Sequence, residues 1–126
     1  MTELENYRQD LLELWHRKAI TGELQGYPFA VVRSELGHLC GYVGLSDKTF
    51  KKFDAEMDVN CHGGITYDYS GEQYFGLTGH FIGFDCAHAG DWTPFFTEGT
   101  YKNIDFVLGE IRKIIKQLKG FEYGSK

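Results

Sequence analysis

The sequence predicts a single α+β domain: an antiparallel sheet of about four strands packed with an N-terminal and a C-terminal helix. Three observations carry this expectation. Apolar residues recur at helical spacing at both ends, β-rich runs punctuated by turn residues fill the middle, and no linker, repeat or low-complexity tract divides residues 1–126. A chain of 126 residues also holds enough material for one hydrophobic core and not for two.

The first helix is marked by Leu4, Tyr7, Leu11, Leu12 and Trp15 at spacings of three and four, with Glu5, Arg8, Gln9 and Glu13 on the other side. Thr2 is its expected N-cap and Thr21-Gly22 its expected stop. A strand pair follows over residues 29–33 and 38–45, joined by Ser34-Glu35-Leu36-Gly37, which has hairpin-turn chemistry. Ser46 and Asp47 then cap a short helix near residues 48–56, with Phe50 and Phe53 on its buried side. A second hairpin is expected from residues 59–69 and about 75–86, connected through Ser70-Gly71-Glu72-Gln73. The last helix is announced by Ile104, Val107, Leu108, Ile111, Ile114, Ile115 and Leu118, one apolar stripe, with Lys102, Arg112, Lys113, Lys116 and Lys119 mostly off it. Thr100 is the expected cap and Gly120 the expected stop. The resulting order is α-β-β-α-β-β-α.

Composition narrows the function classes. The opening residues are polar and acidic, unlike a secretory signal, and no apolar run approaches the roughly 20 residues of a bilayer crossing. Cys40, Cys61 and Cys86 are an odd number without a CxxC pair, which fits free thiols in a reducing cytoplasm. These features predict a cytoplasmic protein with no membrane partner. The net charge of −5 is unevenly spread: residues 34–99 carry ten acids against three lysines, residues 100–126 six bases against three acids. Nucleic acid is therefore a disfavoured partner, and the lysines of the last helix read as its solvated face. Aromatics at 16% suggest a core, and a surface cleft, built largely from rings.

Reactive side chains concentrate in Cys61-His62-Gly63-Gly64, placed in the third strand or its bulge, and in the run from Asp85-Cys86-Ala87-His88 to Asp91, at a strand end. If the two strands are hairpin neighbours, these segments meet. His62, Asp85, His88 and Asp91 are the candidates for acid–base or hydrolytic chemistry, since a carboxylate can fix an imidazole tautomer and raise its basicity. Cys86 is a poor nucleophile beside Asp85, which pushes its thiol pKa upward. Cys86 and His88 are the weak candidates for a metal site, whose ligand spacing is poor; no cofactor is expected. The candidate ligand- or partner-binding set is His62, Gly63, Gly64, Tyr67, Asp85, His88, Asp91 and Trp92, with Trp92, Phe95 and Phe96 forming an aromatic rim. The same residues have plain structural uses: aspartates pin turns, buried cysteines act as small hydrophobes, glycine pairs permit bulges. His16 and His38 are read as solvated.

The runs Leu39-Cys40-Gly41-Tyr42-Val43-Gly44-Leu45, His62-Gly63-Gly64-Ile65-Thr66-Tyr67 and Gly83-Phe84-Asp85-Cys86-Ala87-His88-Ala89-Gly90-Asp91 resemble a widespread family of small uncharacterised phage and prophage proteins. The likeness spans about residues 36–119 and leaves the first helix as an addition. His80-Phe81 stand where the family has a bulky aromatic pair, and Cys61 where it commonly has another residue. The resemblance implies a small phage-type accessory protein that acts by binding a host protein, an inhibitor of host defence or regulation. The alternative is a small-molecule, nucleotide-like ligand bound or hydrolysed by the His/Asp cluster. The balance favours binding over catalysis.

Overall fold

The computed structural model describes residues 2–14, 19–56, 58–70, 75, 77 and 79–123. Its elements are α1 (Glu3–Glu13), β1 (Ala19–Leu24), β2 (Tyr27–Arg33), β3 (Leu39–Leu45), α2 (Asp47–Glu56), β4 (Tyr67–Ser70), β5 (His80–Asp85) and α3 (Ile104–Tyr123). The fold is α+β, as expected, but the sheet has five strands. They run in the order β1-β2-β3-β5-β4, and every neighbouring pair is antiparallel.

The added strand is β1. Thr21 and Gly22, expected to stop a helix, lie inside it and pair with Ala30 and Phe29. The connection to β2 is the two-residue turn Gln25-Gly26, with φ of 53° and 90°. Positive φ at both central residues is the backbone twist that fits a tight hairpin. Helix α1 ends earlier, at Glu13, while its start is as expected. Thr2 Oγ1 accepts from Glu5 N at 3.1 Å, and Glu5 Oε1 accepts from Thr2 N at 2.8 Å, a reciprocal capping box. Trp15, His16 and the connection over residues 71–74 lie outside the described residues.

Side chains alternate between the two faces of the sheet, and both faces of its centre are covered. All seven residues of β3 are buried. On one face Val31, Leu39, Val43, Ile82 and Phe84 pack with Val107, Ile111, Ile114, Ile115 and Leu118 of α3. On the other, Ala30, Val32, Cys40, Tyr42, Leu77 and Phe81 form a smaller cluster. The predicted apolar stripe of α3 is thus the stripe that covers the sheet. Its cap is Asn103 rather than Thr100: Asn103 Oδ1 accepts from Phe106 N at 2.9 Å, and the helix continues past Gly120. Thr100 is held elsewhere, its N–H donating to Gly90 O at 2.9 Å and its carbonyl accepting from Trp92 N. Ser46 caps α2 as expected, accepting from Thr49 N at 3.1 Å. No helix among the described residues is long and apolar enough to cross a membrane.

Helix α1 is tied into the domain by charge as well as by rings. Asp10 is buried, and its Oδ2 accepts from Tyr101 Oη at 2.6 Å and from Ile104 N at 3.0 Å, at the start of α3. Burial raises the pKa of this carboxyl against the opposing pull of those two donors. Tyr7 packs against Trp92 and Tyr101, with ring centroids 5.4 and 5.7 Å away, and the Arg33 guanidinium lies 4.9 Å above its ring. Asp10→Ala strips the buried Tyr101 hydroxyl and the half-buried Ile104 N–H of their acceptor and is expected to cost about 2 kcal/mol of unfolding free energy, read from urea denaturation.

Candidate functional site

Residues 58–66 approach the sheet as irregular chain, not as the strand expected over residues 59–69. Glycine explains the difference. His62-Gly63-Gly64 forms a turn in which Gly64 N donates to Cys61 O at 3.0 Å, with φ of 71° at Gly63 and 83° at Gly64. The chain joins the ladder only afterwards, where Thr66 N donates to Gly83 O at 2.9 Å. This brings the turn against the loop that leaves β5. A Cβ added at residue 63 would lie 2.0 Å from His88 Nε2, so the imidazole rests directly on the glycine.

Asp91 is the centre of the cluster. Its side chain is only 1% exposed, yet three groups bind it: His62 Nε2 at 2.8 Å from Oδ2 and 3.0 Å from Oδ1, Lys102 Nζ at 3.2 Å from Oδ1, and His88 N at 2.9 Å from Oδ2. Burial is the largest single influence on this carboxyl and pushes its pKa up. The His62 and His88 hydrogen bonds, the His62 charge and Lys102 together outweigh it, and the net shift is downward. An ionised carboxylate only accepts, so His62 Nε2 is the protonated nitrogen and donates. The imidazole is fixed from other sides too. Its backbone N–H donates to Glu110 Oε1 at 2.7 Å, and Phe106 meets the ring edge-on at 5.1 Å.

Asp85 organises the neighbouring corner. Its Oδ1 accepts from Ala87 N at 3.2 Å and its Oδ2 from Thr66 Oγ1 at 3.3 Å. His88 Nε2 is 3.1 Å from Asp85 Oδ1, but this is an electrostatic contact without hydrogen-bond alignment, and the buried Nε2 has no hydrogen-bond partner. The His62 and His88 rings are 5.7 Å apart. Four residues singled out by sequence, His62, Asp85, His88 and Asp91, therefore do converge, with Gly63 as the contact that lets them.

Beside them opens a pocket of about 710 Å³ whose wall includes the chain from Ala87 to Asp91, together with Leu36, His38, Phe95, Phe96 and Glu98. Three large apolar side chains stand exposed around it: Leu36 at 59%, Phe95 at 70% and Phe96 at 76%. The two phenylalanines are held there by a tight turn on the buried Thr93. Thr93 N donates to Phe96 O at 2.9 Å, and Thr93 Oγ1 accepts from Phe95 N and Phe96 N at 3.2 and 3.0 Å.

Several expectations are corrected here. Trp92 is not on the rim: it is buried, 5.7 Å from the Tyr101 ring. Tyr67 packs edge-on against Tyr42 in the second core cluster, 5.4 Å away. Gly64 borders a different pocket, of about 440 Å³, with Cys61 and Val59. His38 is buried rather than solvated. Its Nδ1 is 3.1 Å from Ser34 Oγ, and burial lowers its pKa. Its place at the entry to a fully buried strand was the available signal. Cys86 belongs to the core against α3, and burial raises its thiol pKa far above the usual range. Burial also pushes Cys40 and Cys61 up to about 11. Such thiols are protonated at neutral pH and are weak nucleophiles and ligands. Among the described residues, no group of three or more His, Cys, Asp or Glu is placed to hold a metal ion.

No family model matches the chain, and no curated protein and no solved structure matches it.

Two outcomes are expected of this arrangement. Asp91→Ala removes one partner of a buried ion pair and should cost about 3 kcal/mol at neutral pH. Because the folded pKa of Asp91 lies below its unfolded value of about 3.9, this stabilisation is complete above that pH and lost as pH falls through the folded pKa. The difference in thermal unfolding between wild type and variant should thus shrink in acid; a constant difference would contradict the assignment. Gly63→Ala should displace His88, seen as a shift of its imidazole proton resonances, with His62 moving less.

Proposed function

We propose that this protein acts by binding, and that the pocket between His88 and the Phe95-Phe96 turn is the surface it uses. The observation carrying the reading is that Leu36, Phe95 and Phe96 are all more than half exposed around one pocket. Contiguous exposed apolar side chains at a concavity are characteristic of interaction sites, and aromatic side chains are common anchors there. The motif resemblance described above suggests the setting: a phage-type accessory protein, working in the host cytoplasm as an inhibitor of a host defence or regulatory protein. The acid excess of residues 34–99 is compatible with a partner that presents a basic groove.

A second reading rests on the two His–Asp pairs, His62–Asp91 and His88–Asp85, whose rings are 5.7 Å apart beside the pocket. They would bind, or hydrolyse, a small nucleotide-like molecule. In that case Asp85→Ala abolishes capture of the small molecule while thermal unfolding stays near wild type.

The binding reading is tested by affinity capture from bacterial lysate with wild type and a Phe95→Ala/Phe96→Ala double variant. Wild type should retain a specific protein that the variant loses by at least about tenfold, a loss of roughly 1.4 kcal/mol. The variant's melting temperature should be unchanged, since both rings are exposed. Equal retention by the variant, or no specific protein with wild type, overturns it.

A further inference from the structure

We propose that the group this pocket accepts is a cationic side chain, the guanidinium of an arginine carried on a basic segment of the partner protein. This rests on the reading that the pocket is the binding surface, and it adds the chemistry of the occupant.

The lining itself makes the case. Among the described residues it includes Asp91 and Glu98, His38 and His88, and Phe95 and Phe96, and no lysine or arginine. The nearby described cations are engaged elsewhere. Lys102 Nζ pairs with Asp91, and Arg33 Nη1 donates to Gly37 O at 2.6 Å while its guanidinium covers Tyr7. Asp91 is largely balanced by its own partners, so Glu98, exposed at the rim, is the carboxylate a ligand would meet. Burial lowers the pKa of His38 and so disfavours its charged form.

An anionic occupant would face the exposed Glu98 carboxylate with no compensating cation among the described lining residues. A neutral apolar one would bury the Glu98 carboxylate without a partner. A guanidinium satisfies both parts of the wall. Its plane can stack on an exposed phenyl face while its donors meet the exposed Glu98 carboxylate. A compact ammonium does this less well, which favours arginine over lysine. The volume of about 710 Å³ exceeds one such side chain and leaves room for an adjoining apolar residue against Leu36. The −7 balance of residues 34–99, ten acids against three lysines, is compatible with attraction of a basic segment.

The experiment is a nuclear magnetic resonance titration of the full chain with three peptides: hexa-arginine, hexa-lysine and hexa-citrulline. Hexa-arginine should shift the amides of residues 87–98 most strongly, hexa-lysine less, and hexa-citrulline, which keeps the shape without the charge, not at all. Glu98→Gln and the Phe95→Ala/Phe96→Ala variant should each weaken hexa-arginine by at least about threefold, as expected for losing one carboxylate contact or one cation–π contact. Glu23→Gln, an exposed acid on β1, should leave it unchanged. Equal affinity for wild type and the double phenylalanine variant would mean diffuse electrostatic attraction and would overturn the proposal. So would shifts with hexa-citrulline as large as with hexa-arginine; the pocket would then be a binding surface for neutral groups, and only the cationic assignment would fall. Absence of shifts with all three peptides overturns the arginine assignment, while lysate capture with the double variant judges the binding reading separately.

Discussion

The buried carboxylate of Asp91 sets the terms for everything around it. A charge that is only 1% exposed is tolerable only when donors surround it, and they come here from three separate pieces of chain. His62 reaches it from the turn before β4, His88 N–H from the loop after β5, and Lys102 from the approach to α3. One carboxylate thus closes two loops and a helix start into a single corner of the sheet. It also assigns the imidazole proton of His62 to Nε2, because an ionised acceptor needs a donor. Whatever His62 presents to a ligand, it presents through the rest of the ring. The consequence is a division between Asp91, which holds the corner, and His88 with Asp85, which lie closer to the surface with looser geometry.

A second buried carboxylate, Asp10, plays the matching role on the other side of the loop. It joins α1 to Tyr101 and to the first turn of α3, while Glu3 Oε1 accepts from Tyr101 N at 2.6 Å. Tyr7, Trp92 and Tyr101 fill the space between with mutually tilted rings. The loop over residues 91–103 is therefore pinned near both ends. In this structure α1 is built into the support of the pocket rim, although the motif-bearing part of the sequence begins well after it.

Much of this was legible in the sequence, and the failures have physical causes. The stripe of α3 and the box at Thr2 could be read because periodicity and capping act within a few residues. Strand β1 could not, because Thr21-Gly22 has the chemistry of a helix stop and only pairing with Phe29 and Ala30 makes it a strand. Thr100 looked like a cap and lost that role to Asn103 because its own backbone is committed to Gly90 and Trp92. The convergence of His62 with Asp91 followed from expecting a hairpin there. What no periodicity could reveal was the sorting of one aromatic segment into a buried Trp92 and exposed Phe95 and Phe96, which depends on the tertiary slot made by Tyr7 and Tyr101.

That sorting bears on why the rim exists. Full burial of a phenylalanine side chain is worth roughly 1.5–3 kcal/mol, so leaving two in water forgoes a large share of a small domain's stability. Mobility does not account for it, since the turn beneath them is closed in both directions between Thr93 and Phe96 and fastened again by the Thr93 hydroxyl. Those bonds fix the backbone of both phenylalanines, and the Thr93 that accepts them is itself buried. The backbone thus holds the two phenylalanines out against their own hydrophobic preference. Beside them, Gly63 gives up a side chain so that His88 can sit at the edge of the same pocket. An apolar rim fixed by hydrogen bonds, next to imidazoles and carboxylates, is the feature on which the proposed binding role rests.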